Sequence, residues 1–236
     1  MKTLLLTITA VALATLPFAD LSADDADVTL TVEKGEALDV LFLTTKPDTQ
    51  EKLGDYFATV SPIVKKAGYT PKPGFALSAT RGNYDPSRVV FASWRSPEDR
   101  AEAMAAIDAN VENFHERRRE IWSSFNMTVY TMENDVAVAM DADKTYVMTA
   151  YWRTDGDGFD AFTKSWRKSA GRAGGTVVLE LEDGWSPFGY RYDPDYLAIT
   201  EWKSDKAFET FHAGLGIDTA AVSHVDEWVL DVKAKN

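Results

Sequence analysis

The sequence predicts an α+β protein made of two tandem βαββαβ units with antiparallel sheets. Two observations lead to this prediction: a pair of matching segments, and the same order of strand and helix patterns around each. Tyr84-Asp85-Pro86 recurs as Tyr192-Asp193-Pro194, and Trp94-Arg95-Ser96 recurs as Trp202-Lys203-Ser204. Both pairs are 108 residues apart (84 to 192, 94 to 202). A repeat of this length corresponds to one small folding unit, so two copies are expected.

The first residues have the features of a secretory signal peptide. Lys2 is followed by an apolar run from Leu4 to Leu16, and small residues from Ala19 onwards offer cleavage points. The run is too short to cross a bilayer comfortably. We therefore predict that residues 1–23 are a signal peptide, that the protein is exported to the periplasm or the exterior, and that its mature form has no membrane span.

The first copy begins with a predicted strand from Leu38 to Thr45. An amphipathic helix follows and ends at Gly68, a residue that tolerates the left-handed conformation of a helix terminus. Alternating apolar residues predict two further strands, from Gly74 to Thr80 and from Arg88 to Ser93.

The second copy repeats this order. A strand from Thr145 to Trp152 precedes a helix that ends at Gly174, and further strands are predicted from Thr176 to Leu181 and from Tyr196 to Glu201. The inward face of its first helix has the same apolar spacing as the helix of the first copy.

In both copies a second helix and a last strand complete the unit. Ser96 and Ser204 are placed to cap these helices with their hydroxyl groups. In the first copy, apolar residues at helical spacing continue to Ile121. The last strands, Phe125 to Met132 and Val225 to Val232, are only about 100 residues apart. The second copy is therefore shorter in this helix and its exit.

Strand, helix, strand, strand, helix, strand is the order of a ferredoxin-like unit. We place the first unit, with an N-terminal extension, at residues 24–136 and the second at residues 137–236. Two short alternating segments, Val28 to Val32 and Val136 to Met140, lie outside the repeated order. Each is interpreted either as an edge strand or as an ordered linker.

Composition and charge limit the possible partners. The sequence is 45% hydrophobic, which suits a folded core, and it contains no cysteine, which excludes disulfide bonds. A formal net charge of −12 repels polyanions, so nucleic acid is not expected as a partner. The basic run Arg117-Arg118-Arg119 is interpreted as a solvated face near the end of a helix, and the alternative is an anion-binding role.

Three segments carry a resemblance to a known superfamily: Ala173 to Thr176, Thr200 to Phe208, and Phe91 to Ser96 in the first copy. On these residues the chain resembles the dimeric α/β barrel superfamily, which includes antibiotic-biosynthesis-monooxygenase-like proteins and related domain-of-unknown-function families. Single-unit members pair the sheets of two chains into a barrel. The resemblance therefore implies an intramolecular barrel of two tandem copies and a monomeric mature protein.

The resemblance also raises haem degradation as an activity. The positions at which those enzymes have a catalytic tryptophan and a haem-ligating histidine correspond here to Phe211 and Ala221. Neither residue can play those roles, so we predict no cofactor. The sequence also lacks GxSxG, HExxH and glycine-rich phosphate-loop motifs, and no metal site is predicted.

His212 is the strongest catalytic candidate. It lies four residues after Phe208 and three before Leu215, on or beside the helix face that should cover the second sheet. An imidazole there can act as a proton shuttle or a ligand donor. The alternative is a hydrogen-bonded structural histidine.

Aromatic residues are numerous in the second half and predict a binding site. Buried tryptophan and tyrosine usually need polar partners, and such groups often line pockets for flat or apolar ligands. The candidate ligand-binding residues are Trp152, Trp185, Tyr190, Tyr192 and Trp202. The alternative is ordinary core packing.

Two functions are consistent with these patterns. The first is an exported small-molecule-binding or scaffold protein whose ligand is small and apolar or aromatic. The second is a cofactor-independent monooxygenase- or isomerase-like enzyme that uses His212 with Tyr192 or Trp202 on a small aromatic or apolar substrate. We favour the first because the sequence shows no evident pair of acid and base.

Overall fold

The computed structural model describes residues 28–154 and 157–233, so the predicted signal peptide lies outside the described residues. The described chain is α+β, with ten strands, five α-helices and a short 3₁₀ turn. The elements are β1 (Val28–Val32), β2 (Ala37–Thr45), α1 (Gln50–Lys66), β3 (Thr70–Arg81), β4 (Arg88–Trp94), α2 (Pro97–Asn110), α3 (Phe114–Ile121), β5 (Trp122–Thr131), β6 (Val136–Met140), β7 (Thr145–Arg153), α4 (Phe159–Arg172), β8 (Gly175–Glu182), β9 (Tyr196–Trp202), α5 (Asp205–Gly214) and β10 (Val222–Asp231).

Eight strands form one antiparallel sheet in the order β5-β2-β4-β3-β10-β7-β9-β8. The first half contributes β2, β3, β4 and β5, and the second half contributes β7, β8, β9 and β10. If the four strands of each half are numbered 1 to 4 in chain order, both halves have the strand order 4-1-3-2. The halves meet where β3 pairs with β10, with Ser78 opposite Val229. At the outer edge of the first half, β5 forms a single bridge between Val129 and Trp185 of the loop that follows β8.

The two short segments that the sequence left as either edge strands or linkers, β1 and β6, are both strands. β1 and β6 pair with each other as a separate antiparallel ribbon, with Val28 opposite Met140. The ribbon contributes Leu30 and Val138 to a buried core shared by both halves. This shared core contains large side chains from β2 and β4 of the first half and from β7, β9 and β10 of the second.

The opposite face of the sheet is covered by helices. In the first half α1, α2 and α3 pack on it around Tyr56 and Ile107. In the second half α4 and α5 pack on it around Trp166 and Phe211. Among the described residues no helix is long and apolar enough to cross a membrane.

Both predicted helix caps are confirmed. The Ser96 hydroxyl accepts from Asp99 N at 3.1 Å, and the Ser204 hydroxyl accepts from Ala207 N at 3.4 Å. Caps of this kind stabilise a helix by about 1 kcal/mol. The predicted strands are also present, several with longer bounds.

The interpretation of the basic run Arg117-Arg118-Arg119 as a solvated face is wrong for Arg118. The helical pattern from Ser96 to Ile121 breaks between α2 and α3, where Asn113 has a left-handed φ of 54°. The buried residues of α3 are Phe114, Arg118 and Ile121. Arg118 has 7% of its surface exposed, while Arg119 remains in solvent.

Candidate functional site

A groove with a volume of about 660 Å³ lies between α4 and the end of α5. We call it the α4–α5 groove. Small and aromatic side chains alternate along it; they include Ala161, Phe162, Ser165, Trp166, Phe211 and Leu215. Pockets of about 300–1,000 Å³ are typical of small-molecule sites.

The local sequence explains why the groove is open. Ala161, Ser165 and Ser169 follow one another at helical spacing, so one face of α4 carries only small side chains between its aromatic residues. In the first half the corresponding chain forms two helices, and α1 packs against both. In the second half it forms only the ten-residue α5. The second helix of the second copy, which the sequence predicts to be shorter than its counterpart, therefore lies beside the groove.

Two buried polar groups lie at the groove wall and directly behind it. Trp166 lines the groove, and the Tyr151 ring lies 5.7 Å from the Trp166 ring. The Trp166 indole nitrogen and the Tyr151 hydroxyl have no hydrogen-bond partner in the described part of the chain. Burial raises the pKa of Tyr151, so its hydroxyl keeps its proton. Both atoms are shielded from solvent.

Trp202 lies behind the other wall of the groove. It is buried, its indole nitrogen donates to Thr200 Oγ1 at 2.9 Å, and its ring lies 4.9 Å from that of Phe211. A Cβ on Gly175 would lie 2.7 Å from the Trp202 ring, so the glycine is needed to admit the indole. Trp202 therefore supports Phe211 and does not itself line the groove.

His212 is placed beside the groove residues but points elsewhere. Its Nδ1 lies 2.6 Å from Oε1 of Glu227, a buried carboxylate on β10. Thr80 and Thr149 also donate to Glu227, at 2.9 and 3.4 Å. The imidazole is about one quarter exposed, with 27% of its side-chain surface accessible. The predicted catalytic role of His212 stays a prediction.

Trp152 and Tyr192 lie together, on the shared-core side of the sheet. Their rings are 5.1 Å apart, and the Tyr192 hydroxyl donates to Oδ2 of buried Asp226 at 3.3 Å. Burial and Asp226 hold the pKa of Tyr192 well above its usual value. His224 Nε2 lies 3.0 Å from Asp226 Oδ1 but is not aligned for a hydrogen bond.

Trp185 and Tyr190 lie in a third place, on the helix-covered face of the first half. They belong to the β8–β9 loop, residues 183–195, which crosses from the second half onto β5. Trp185 is 49% exposed, and its ring lies over Arg100 at 5.3 Å. The Tyr190 hydroxyl accepts from Arg118 Nη1 at 3.2 Å.

The predicted site residues therefore fall into three groups and not one. Sequence reasoning missed Phe162, Trp166 and Phe211 as groove residues, because their helical spacing indicates a buried face equally well. The small residues between the aromatic residues of α4 are the sequence signal that distinguishes a groove wall from a helix face packed in the core. Within residues 28–154 and 157–233, no three acidic or histidine side chains are grouped to hold a metal ion.

The fold and the groove define an α+β protein with an antiparallel sheet and an open groove of about 660 Å³ on its second half. No protein-family model matches the sequence. A search of curated proteins also finds no match.

Solved structures include distant likenesses. An anthrone oxidase-like protein is 17% identical, with 86% of this chain and 94% of that chain covered and a TM-score of 0.47. A mutant chlorite dismutase from Candidatus Nitrospira defluvii is 10% identical over 84% and 92%, with a TM-score of 0.45. A putative monooxygenase from Lactobacillus acidophilus NCFM is 9% identical over 84% and 93%, with a TM-score of 0.35. Likenesses this distant assign no activity, ligand or partner to this chain.

Proposed function

We propose that this protein is exported and binds a small apolar or aromatic molecule in the α4–α5 groove. The observation that carries the proposal is the groove of about 660 Å³, walled by Phe162, Trp166 and Phe211. Aromatic walls provide large contact areas for flat ligands. The export part of the proposal rests on the pattern of residues 1–23.

The groups that line the groove define the ligand further. Among the described residues that line the groove, Asp218 is the sole ionisable side chain. An uncharged ligand fits this lining best.

The same lining favours binding over catalysis. General acid–base catalysis needs a side chain that can exchange a proton within hydrogen-bond reach of the substrate. The described lining offers serine and threonine hydroxyls and the Asp218 carboxylate, and His212 is turned to Glu227. The groove has walls for a ligand and no paired acid and base.

We further propose that the chain is a tandem duplication of one ferredoxin-like unit, packed as an intramolecular α/β barrel. The identical strand order of the two halves supports the duplication. The shared core supports the packing, because residues such as Phe42 and Trp228 come from different halves and their rings lie 5.0 Å apart. On this arrangement the mature protein is a monomer.

The binding proposal is tested with N-phenylnaphthylamine, a neutral dye that fluoresces in apolar sites. We expect saturable binding of one dye per chain. Ala161→Trp places an indole in the groove and should abolish the signal. Ala105→Trp introduces the same indole at an exposed position of α2 and is the matched control.

Equal dye binding by the Ala161→Trp and Ala105→Trp proteins would contradict the groove as the site. Thermal unfolding of both variants is measured alongside, so that loss of the fold is not mistaken for loss of binding. Native mass spectrometry of protein purified from the envelope of its host then identifies a retained ligand by mass.

The second candidate function, a cofactor-independent enzyme, is favoured by one observation. His212 is hydrogen-bonded to a buried carboxylate at 2.6 Å, the arrangement that orients a histidine in acid–base catalysis.

A further inference from the structure

Two buried arginines lie under the β8–β9 loop, and they differ in their partners. Arg100 Nε donates to Asp39 Oδ1 at 2.6 Å, which makes a buried ion pair. Arg118 is also buried, yet no carboxylate of the described residues lies within 4.0 Å of its nitrogens. A buried cation without an anionic partner is costly and rare in a structure.

Asp39 does not serve both guanidinium groups. Its second oxygen accepts from Trp94 Nε1 at 2.9 Å, so both carboxylate oxygens are engaged away from Arg118. Burial raises the pKa of Asp39, and Arg100 and Arg118 offset part of that rise. Two guanidinium groups against one carboxylate leave one net positive charge here, in a protein whose formal net charge is −12.

The neighbours of Arg118 are hydroxyl groups and aromatic rings. Arg118 Nε donates to the Tyr56 hydroxyl at 3.0 Å, and Nη1 donates to the Tyr190 hydroxyl at 3.2 Å. Its guanidinium carbon lies 4.1 Å from the Phe114 ring centre, 4.5 Å from that of Phe125 and 5.7 Å from that of Phe188. These rings stabilise the cation but do not neutralise it.

Both tyrosine hydroxyls are acceptors toward Arg118 and so retain a proton to donate. Burial raises the pKa of Tyr56, which keeps that hydroxyl protonated at neutral pH. No hydrogen bond of the described residues has the Tyr56 or Tyr190 hydroxyl as its donor. Two O–H groups therefore lie within hydrogen-bond distance of the guanidinium, and no carboxylate of the described residues pairs with the guanidinium.

The covering loop is pinned at its ends and exposed at its tip. Trp185 and Val129 exchange backbone hydrogen bonds of 2.9 and 3.0 Å, and the Ser186 hydroxyl donates to Met127 O and accepts from Tyr192 N. Between these points Phe188 is 38% exposed, with a left-handed φ of 58°. Such a conformation is strained for a residue other than glycine.

We propose that Arg118, Tyr56 and Tyr190 form a second binding site, which takes the carboxylate of a small aromatic acid beneath Phe188. Guanidinium is the side chain best matched to a carboxylate, and the surrounding rings suit the apolar body of an organic acid. The site lies on the first half and goes beyond the function proposed for the α4–α5 groove. The two proposals are tested independently of each other.

The test uses benzoate as the probe and benzamide as its neutral counterpart, in calorimetric titrations at constant ionic strength. The full chain carries Ala161→Trp, so that binding in the groove is not counted. We expect saturable binding of one benzoate per chain and at least tenfold weaker binding of benzamide. Tyr190→Phe and Tyr56→Phe should each weaken benzoate about tenfold to hundredfold, the loss expected for a hydrogen bond to a charged group.

Tyr69→Phe is the matched control, because Tyr69 packs on Trp94 in the same half and is not among the hydrogen-bond or ring partners of Arg118. Arg118→Met should abolish binding, and the tyrosine variants keep the test valid if that protein does not fold. The proposal is overturned by any of three results: no saturable binding of benzoate, equal binding of benzamide, or equal losses in Tyr69→Phe and Tyr190→Phe. Inorganic phosphate binding as tightly as benzoate would overturn the assignment to an organic acid.

Discussion

At the scale of single residues, the buried carboxylate of Glu227 links three elements. It accepts from Thr80 on β3 and Thr149 on β7, and it pairs with His212 on α5. A buried carboxylate is tolerated when its oxygens are hydrogen-bonded. The geometry therefore gives His212 a structural role whether or not it also serves a reaction.

His212→Ala separates the structural role from a catalytic one. We expect the free energy of unfolding to fall by about 1–3 kcal/mol, because Glu227 loses a hydrogen-bond partner and remains buried. Dye binding in the α4–α5 groove should be unchanged. Chemical denaturation and the dye titration measure the two effects.

His212→Gln is the companion variant, since its amide can still donate to Glu227 and should restore part of the stability. Loss of binding or turnover of the native ligand with unchanged stability would instead support the enzyme. Lower stability together with intact binding and intact turnover of the native ligand would rule out the catalytic role of His212.

At the scale of elements, the turn between β3 and β4 depends on a glycine that approaches β10. Gly82 has a φ of 92°, and a Cβ there would lie 2.1 Å from Asp226 Oδ1 and 2.6 Å from Val225 O. Gly35, in the turn before β2, has nearly the same φ of 89°, but a Cβ there would meet nothing within 4 Å. A comparison of substitutions at the two glycines therefore separates the cost of backbone strain from the cost of a steric clash.

Gly82→Ala and Gly35→Ala should therefore differ in stability. We expect Gly35→Ala to cost about 1–2 kcal/mol from the left-handed backbone alone. Gly82→Ala should cost about 1–3 kcal/mol more, because the added carbon overpacks the contact with β10. Denaturation midpoints compare the two directly, and equal losses would show that β10 moves away at no cost.

The order of elements and the helix caps could be predicted from the sequence, because turns, caps and apolar periods are local signals. Ser96 and Ser204 illustrate this: their capping depends on only three following residues. The site could not be predicted in the same way. Whether Arg118 faces solvent depends on the break at Asn113 and on a loop from the other half. These are contacts between residues far apart in the chain.

At the scale of the whole molecule, the shared core contains apolar residues from both halves. β7, β9 and β10 contribute Met148, Ile199 and Trp228, and β2 and β4 contribute Phe42 and Phe91. All five residues are at most 2% exposed. Separating the halves would bring this apolar surface into water, at a cost of about 25 cal/mol for each Å².

The shared core determines the association state of the protein. Because the two halves cover each other, the chain from residue 24 onwards should sediment as a monomer at micromolar concentration. Residues 137–236 expressed alone should not behave in this way. They should be unfolded, or should associate to cover the exposed face of β7, β9 and β10, since contiguous apolar patches of that kind drive association.

Analytical ultracentrifugation of the two proteins, with circular dichroism as a measure of folding, tests both statements. A tight dimer of the longer chain would show that its own halves do not satisfy each other's sheets. A folded monomer of residues 137–236 would show that the shared core is dispensable for the second half. The intramolecular barrel is supported if the longer chain is a monomer and residues 137–236 alone are unfolded or associated. Both results would mean that the apolar face of one set of four strands needs a second set to cover it.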